Sequence, residues 1–203
     1  MTQTTLSHSL TFMFKDEDWF WKVSLGALAL LLVAAGIGYF FVIGYHVETV
    51  RRCRKHEPAL PDWNPLSPLW RSGLRVGSAM LCYSALASAC LAAVHLTGVF
   101  AIAMGIVVTH TIVLPFVILS FLQGESLKSC FALHAMGAMI NSNRRSAVQV
   151  TSAGFCIFMT VFCFGWMALI VGWPFFIFWG MLATAAFTAS LAPALESTEA
   201  VSR

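Results

Sequence analysis

Nearly every charge in this chain is confined to three stretches: Lys15 to Lys22, Glu48 to Arg75 and Glu125 to Arg145. Between them run long blocks with no Asp, Glu, Lys or Arg at all. Hydrophobic residues make up 59% of the sequence, charged residues 10%, and the mean hydropathy is +0.79. A water-soluble core does not absorb apolar residues in runs of this length, whereas a hydrocarbon core about 30 Å thick demands runs of about 20 residues. The pattern predicts an all-α polytopic transmembrane helical bundle forming a single integral membrane domain over residues 1–203.

Counting blocks gives about five spans, at about 23–47, 76–96, 99–122, 148–170 and 174–192. The first block contains Gly26, Gly36, Gly38 and Gly44 and is too short for two crossings, so it counts as one. Thr97-Gly98 makes a tight turn between the second and third. Gly172-Trp173-Pro174 is the natural break in the last block, because proline suits a helix start better than a helix middle. The inner loops are then 48–75 and 123–147, each holding an interfacial segment. The first is rich in proline (Pro58, Pro61, Pro65, Pro68) and cannot be one helix. Its Leu60, Trp63, Leu66, Leu69 and Trp70 suit a dip into the interface. The second reads as a low-polarity helix from Glu125 to Ile140.

Lys and Arg counting sets the orientation. Arg51, Arg52, Arg54, Lys55, Arg71 and Arg75 share one side with Lys128, Arg144 and Arg145 if there are five crossings, leaving Lys15 and Lys22 opposite. The expectation is a multi-pass protein of the cell (inner) membrane with its N-terminus outside and its C-terminus cytoplasmic. Trp19 and Trp21, near the start of the first span, and Trp166 and Trp173 would then mark the outer interface. The N-terminus does not read as a cleavable signal, because Lys15-Asp16-Glu17-Asp18 is net acidic and the apolar block behind it is too long.

The second span carries small residues at four-residue spacing: Ser78 and Cys82; Ser84, Ser88 and Ala92; Ala85, Ala89 and Ala93. Gly180, Thr184 and Thr188 form a similar strip in the last. Such strips let helix backbones approach closely, either within the bundle or in an interface with a second copy or a partner subunit. The polar point of greatest interest is Thr109-His110-Thr111, in the middle of the third span. An ionisable residue there faces protein or water rather than lipid. In a tight hairpin it lies level with Ser84 and Ser88, whose hydroxyls would satisfy a neutral imidazole. Pro115 deprives the Thr111 carbonyl of its helical donor and predicts a kink. The basic run Arg51, Arg52, Arg54 and Lys55 reads as a topology signal and a lipid head-group contact.

Catalytic signatures are missing. The six cysteines include no Cys-x-x-Cys pair, there is no His-x-x-x-His, and neither a phosphate-binding glycine loop nor a Gly-x-Ser-x-Gly elbow occurs. No metal, cofactor or nucleic-acid partner is expected, only the bilayer and other membrane subunits. The leading expectation is a non-enzymatic accessory or scaffold subunit, or a small homo-oligomer. The alternatives are a small transporter or channel using His110, and, last, a membrane-embedded enzyme acting on lipid.

Several local features occur in order: Asp16-Glu17-Asp18-Trp19, Gly44-Tyr45, Arg51-Arg52, Leu60-Pro61-Asp62-Trp63, Gly73-Leu74, Gly124-Glu125-Ser126 with Phe131, and Gly172-Trp173-Pro174-Phe175. Together they resemble a prokaryotic membrane-protein family, domain of unknown function 4013, over most of the chain. Pro65 and Pro68 depart from its pattern. The resemblance implies an integral membrane bundle and no particular activity.

Overall fold

The computed structural model describes residues 11–55, 57, 59–93, 98–142, 144–167 and 169–190. Among them there is no strand, and the chain is an all-α bundle. Three helices are long and apolar enough to cross a membrane: Leu66–Ala93, Val99–Gly124 and Gly172–Ala189. Trp19–Leu31 and Ala147–Thr160 are shorter apolar helices.

The first apolar block is not one span. It forms helix α1 (Trp19–Leu31), a 3-10 turn at Leu32–Ala35, and helix α2 (Ile37–Arg54). The break is at Gly36, whose φ of 79° lies in the left-handed region that glycine enters without a Cβ clash. Beyond the turn, α2 comes back against α1 so closely that a Cβ on Gly38 would collide with the Ala29 carbonyl. The outer ends of the two helices meet at the proline-rich loop. The Trp63 indole N–H donates to the Lys22 carbonyl at 2.9 Å, and Arg52 donates to the Leu60 carbonyl at 3.0 Å. Lys15 and Lys22 therefore lie at the same end of the bundle as Arg51 and Arg52, not at the opposite end as expected. Reading the block as one crossing failed because helix period and apolar length look the same for a straight rod and for a bent one.

Helix α3 (Leu66–Ala93) begins ten residues before the expected span, with Pro68 in its first turn, where a missing N–H breaks no helical bond. It packs antiparallel to α2 through glycine. A Cβ on Gly44 would strike the Leu69 carbonyl, and one on Gly73 would strike the Phe40 carbonyl, so the two backbones touch. The chain then returns through α4 (Val99–Val108), a π-helical turn at Thr109–Val113 and α5 (Leu114–Gly124). Gly105 sits on Ser88 in the same backbone-to-backbone manner.

After a 3-10 turn at Ser129–Phe131 and the short helix α6 (Leu133–Ser142), α7 (Arg144–Met167) and α8 (Leu169–Ser190) complete the bundle. Gly172-Trp173-Pro174 is inside α8, a correction to the expected boundary. Pro174 is the sixth residue of that helix, so the Ile170 carbonyl lacks its helical donor. Helix α8 packs on both arms of the α1–α2 hairpin. Its Phe178, 1% exposed, lies against the space left by Gly26 and touches the Tyr45 and Trp63 rings.

The residues expected to dip into the interface divide: Leu66 is exposed, and Trp63 and Trp70 are half-buried. Leu60 and Leu69 are buried in protein, and Trp63 stacks on Tyr45 with ring centroids 4.5 Å apart. The second inner loop is a turn and a short helix rather than one helix from Glu125 to Ile140.

Candidate functional site

The polar residues inside the bundle form a seam where α3, α4 and α2 meet. The Ser84 and Thr109 hydroxyls share a hydrogen bond of 3.0 Å, and Thr109 also donates to the Gly105 carbonyl. Ser88 donates to the Ser84 carbonyl at 2.7 Å. Thus Ser84, Ser88 and Thr109 come together across the hairpin. His110 does not join them. Its Nε2 is 3.1 Å from the Tyr39 hydroxyl on α2, and its Nδ1 is 2.9 Å from the Ile106 carbonyl. Successive helical residues point about 100° apart, so Thr109 and His110 serve different neighbours. Thr111 turns again, toward the Gly154 position on α7.

A π turn at Thr109–Val113 precedes Pro115, the second residue of α5. Pro115 brings no N–H to the ladder, and the wider turn accommodates its ring.

One member of the seam was not singled out from the sequence. His46 on α2 is 2% exposed; it bonds the Met181 carbonyl of α8, while its Nδ1 has no partner among the described residues. The signal was its spacing from Tyr39: seven residues apart, the two side chains share one helical face.

The basic run after α2 divides. Arg51 pairs with Glu48 at 2.5 Å and reaches Glu125 at 3.5 Å. Arg52 turns to the Leu60 carbonyl and to Glu57 at 3.8 Å. Arg54 is half-buried and Lys55 exposed. Arg51 instead gathers with Arg71, Arg75 and Glu125 around a cleft at the start of α3, and Arg75 donates to the Glu125 carbonyl at 3.0 Å.

The third polar group is a latch. Asp16 accepts from Lys22 at 2.9 Å and from the backbone N–H groups of Leu60 at 2.7 Å and Asp18 at 2.9 Å. Lys22 also pairs with Asp62 at 2.9 Å and donates to the Leu60 carbonyl at 3.2 Å. Burial by itself would raise the Asp16 carboxyl, but the Lys22 ammonium and the two N–H donors outweigh it and hold the group below its usual 3.8. Lys22 is likewise opposed by burial yet held above 10.5 by Asp16 and Asp62. The latch joins two sequence features, Asp16–Trp19 and Leu60–Trp63, that lie far apart in the chain.

No group of three or more His, Cys, Asp and Glu side chains arranged for a metal occurs among the described residues. No protein-family model, curated protein or solved structure matches this chain.

Proposed function

We propose that this chain is a non-enzymatic multi-pass component of the cell membrane, an accessory or scaffold subunit that works through helix–helix association, with a second copy or with a partner subunit. One observation carries the reading. The small-residue strips of α3 have different fates. Ser84 and Ser88 are used inside the chain, against α4, and the Gly180, Thr184 and Thr188 strip of α8 also faces inward. Cys82, Ala85, Ala89 and Ala93 are exposed along one side of α3, and no part of the described chain covers them. A small-residue face is of little use against lipid and well suited to a close helix partner. The resemblance to domain of unknown function 4013 agrees with a membrane bundle and adds no activity.

The test is oxidative crosslinking at Cys82 in native membranes, with the other five cysteines replaced by serine. A symmetric contact gives a disulfide-linked dimer, and Ala85→Leu/Ala89→Leu reduces it at least tenfold. A monomer that co-purifies with nothing overturns the reading.

In this reading the α1–α2 hairpin is re-entrant. Val23 to Ala35 rises only about 20 Å and Ile37 to Val47 about 17 Å, each short of a hydrocarbon core of about 30 Å. Helix α3, the α4–α5 rod, α7 and α8 make the four crossings, and both termini are cytoplasmic. No charged residue occurs from 76 to 124 or from 146 to 195, so all the loop charge then falls on one face. Reporter fusions at the N-terminus and the C-terminus should both read cytoplasmic, and a tag inserted after Gly98 should read external. An external N-terminal reporter would refute the re-entrant hairpin.

A second reading as a proton or small-solute path is favoured by the unpartnered Nδ1 of buried His46, close to the Tyr39–His110 pair and the π turn. Proton flux in proteoliposomes that disappears in His46→Gln would move the balance to it. Unchanged flux would remove His46 from consideration.

A further inference from the structure

The geometry points to an acidic-phospholipid site in the cleft between the end of α2, the start of α3 and the end of α5, with the phosphate of one headgroup held by Arg71 and Arg75. The cleft is about 230 Å³ in volume, several times the roughly 30 Å³ share of one water. Arg51, Arg71 and Arg75 all line it, and among the described residues the carboxylates beside them are Glu48 and Glu125, both on Arg51.

The other two guanidinium groups keep free capacity. Arg75 spends one N–H on the Glu125 carbonyl, and Arg71 has no hydrogen bond or ion pair among the described residues. A guanidinium offers five donors in a planar fork that matches phosphate oxygens. Ser67, in the first turn of α3, adds a hydroxyl and lies where the helix leaves backbone N–H groups unpaired. The cleft thus converges positive charge and donors on a space that holds no anion of its own beyond those on Arg51.

The surroundings identify the carrier of the phosphate. On the same side of α3, running from Arg71 toward the membrane interior, Leu74 and Leu81 are 42% and 49% exposed. They are spaced by seven residues and form an apolar track on the helix surface. A free phosphate ion has no use for this track, whereas an acyl chain attached to a bound headgroup would lie along it. Trp70, beside Arg71, packs on Phe40 and Phe41 and fixes this part of α3 to α2, so the cleft is held by the same glycine contacts that join those helices. The track and the Cys82–Ala93 strip share the exposed side of α3, with the lipid at its charged end and the strip nearer the Gly98 end.

The test uses the whole protein in nanodiscs of mixed phosphatidylglycerol and phosphatidylcholine, with retained lipid counted by native mass spectrometry after partial delipidation. The expected result is one phosphatidylglycerol held in preference to phosphatidylcholine. A cation near an anionic surface changes affinity about fivefold, so Arg71→Gln/Arg75→Gln should lower retention roughly 25-fold. Arg71→Lys/Arg75→Lys, which keeps the charges, should recover most of it and shows that the fold survives. Lys55→Gln/Lys128→Gln, outside the cleft, should change nothing. Equal retention of the two lipids by the unmodified protein overturns the proposal. So does an equal loss in the Lys55/Lys128 variant, which would mean diffuse surface charge. Displacement by millimolar inorganic phosphate would overturn the lipid and identify a soluble phosphate as the occupant instead.

Discussion

Replacing Gly73 by alanine should unfold much of the membrane domain. The new methyl would meet the Phe40 carbonyl, a backbone atom with no rotamer to yield, at a point where α2 and α3 are already in backbone contact. Gly44→Ala meets the Leu69 carbonyl from the other side. Overpacking of a side-chain core typically costs about 1–3 kcal/mol, and a backbone-to-backbone contact belongs at the top of that range or above, about 3 kcal/mol. The effect is large because lipid supplies no hydrophobic force to hold two helices together. Close packing does that, and a 1–2 Å separation removes it along the whole contact. Gly137→Ala in α6 is the control. A Cβ there meets nothing, so the substitution should be neutral or stabilise by up to about 1 kcal/mol through helix propensity. Reversible unfolding in mixed micelles, followed by helical circular dichroism, measures both. Equal stabilities for Gly73→Ala and Gly137→Ala would show that α2 and α3 do not touch as described.

Asp16→Ala should open the latch. The Asp16 side chain is 5% exposed and that of Lys22 11%. Removing the carboxylate leaves a nearly buried ammonium with only the exposed Asp62 and a carbonyl, and leaves the Leu60 N–H without its acceptor. Breaking one side of such a pair costs about 3 kcal/mol. Hydrogen exchange at Leu60 should accelerate by about a hundredfold, while amides of α3 and α5 change little. Asp16→Asn keeps an acceptor and should show a smaller effect. Acid gives an independent check. A carboxyl whose folded-state value lies below 3.8 contributes stability that is complete above that pH and is lost as pH falls through the lowered value. Lys22, held above 10.5, contributes stability that is complete below 10.5 and is lost as pH rises through its raised value. The latch should therefore be insensitive to pH between these limits and open beyond both. Protection of the Leu60 amide, taken against its intrinsic exchange rate at each pH, that falls steadily from pH 5 to pH 8 would rule out this ion pair as its cause.

The membrane class and the all-helical bundle were legible because charge segregation and block length report directly on solvent. So was the seam in part. Four-residue spacing puts Ser84 and Ser88 on one face of α3, whereas the meeting with Thr109 rather than His110 depends on how α4 lies against it. His110 was found as a residue and not as a contact. Its partner Tyr39 is 71 positions away on a helix whose course the sequence did not reveal. The basic run was found as a run, but its members diverge: at 100° per residue, Arg51 and Arg52 point to different neighbours. Arg71 and Arg75 were read only as loop charge, because the start of α3 was placed ten residues too late.

By itself the sequence determined the long apolar helices and the stretches of chain where charge collects. Those follow from composition and from spacing within a single helix, which are local quantities. Only the tertiary structure decided that the first apolar block doubles back at Gly36, that Asp16 closes onto Leu60, and that three arginines from two helices share one cleft. A glycine permits a reversal without requiring it. Whether the chain turns depends on what the returning helix finds to pack against, and here it finds the glycine face of α3 and the Phe178 side of α8.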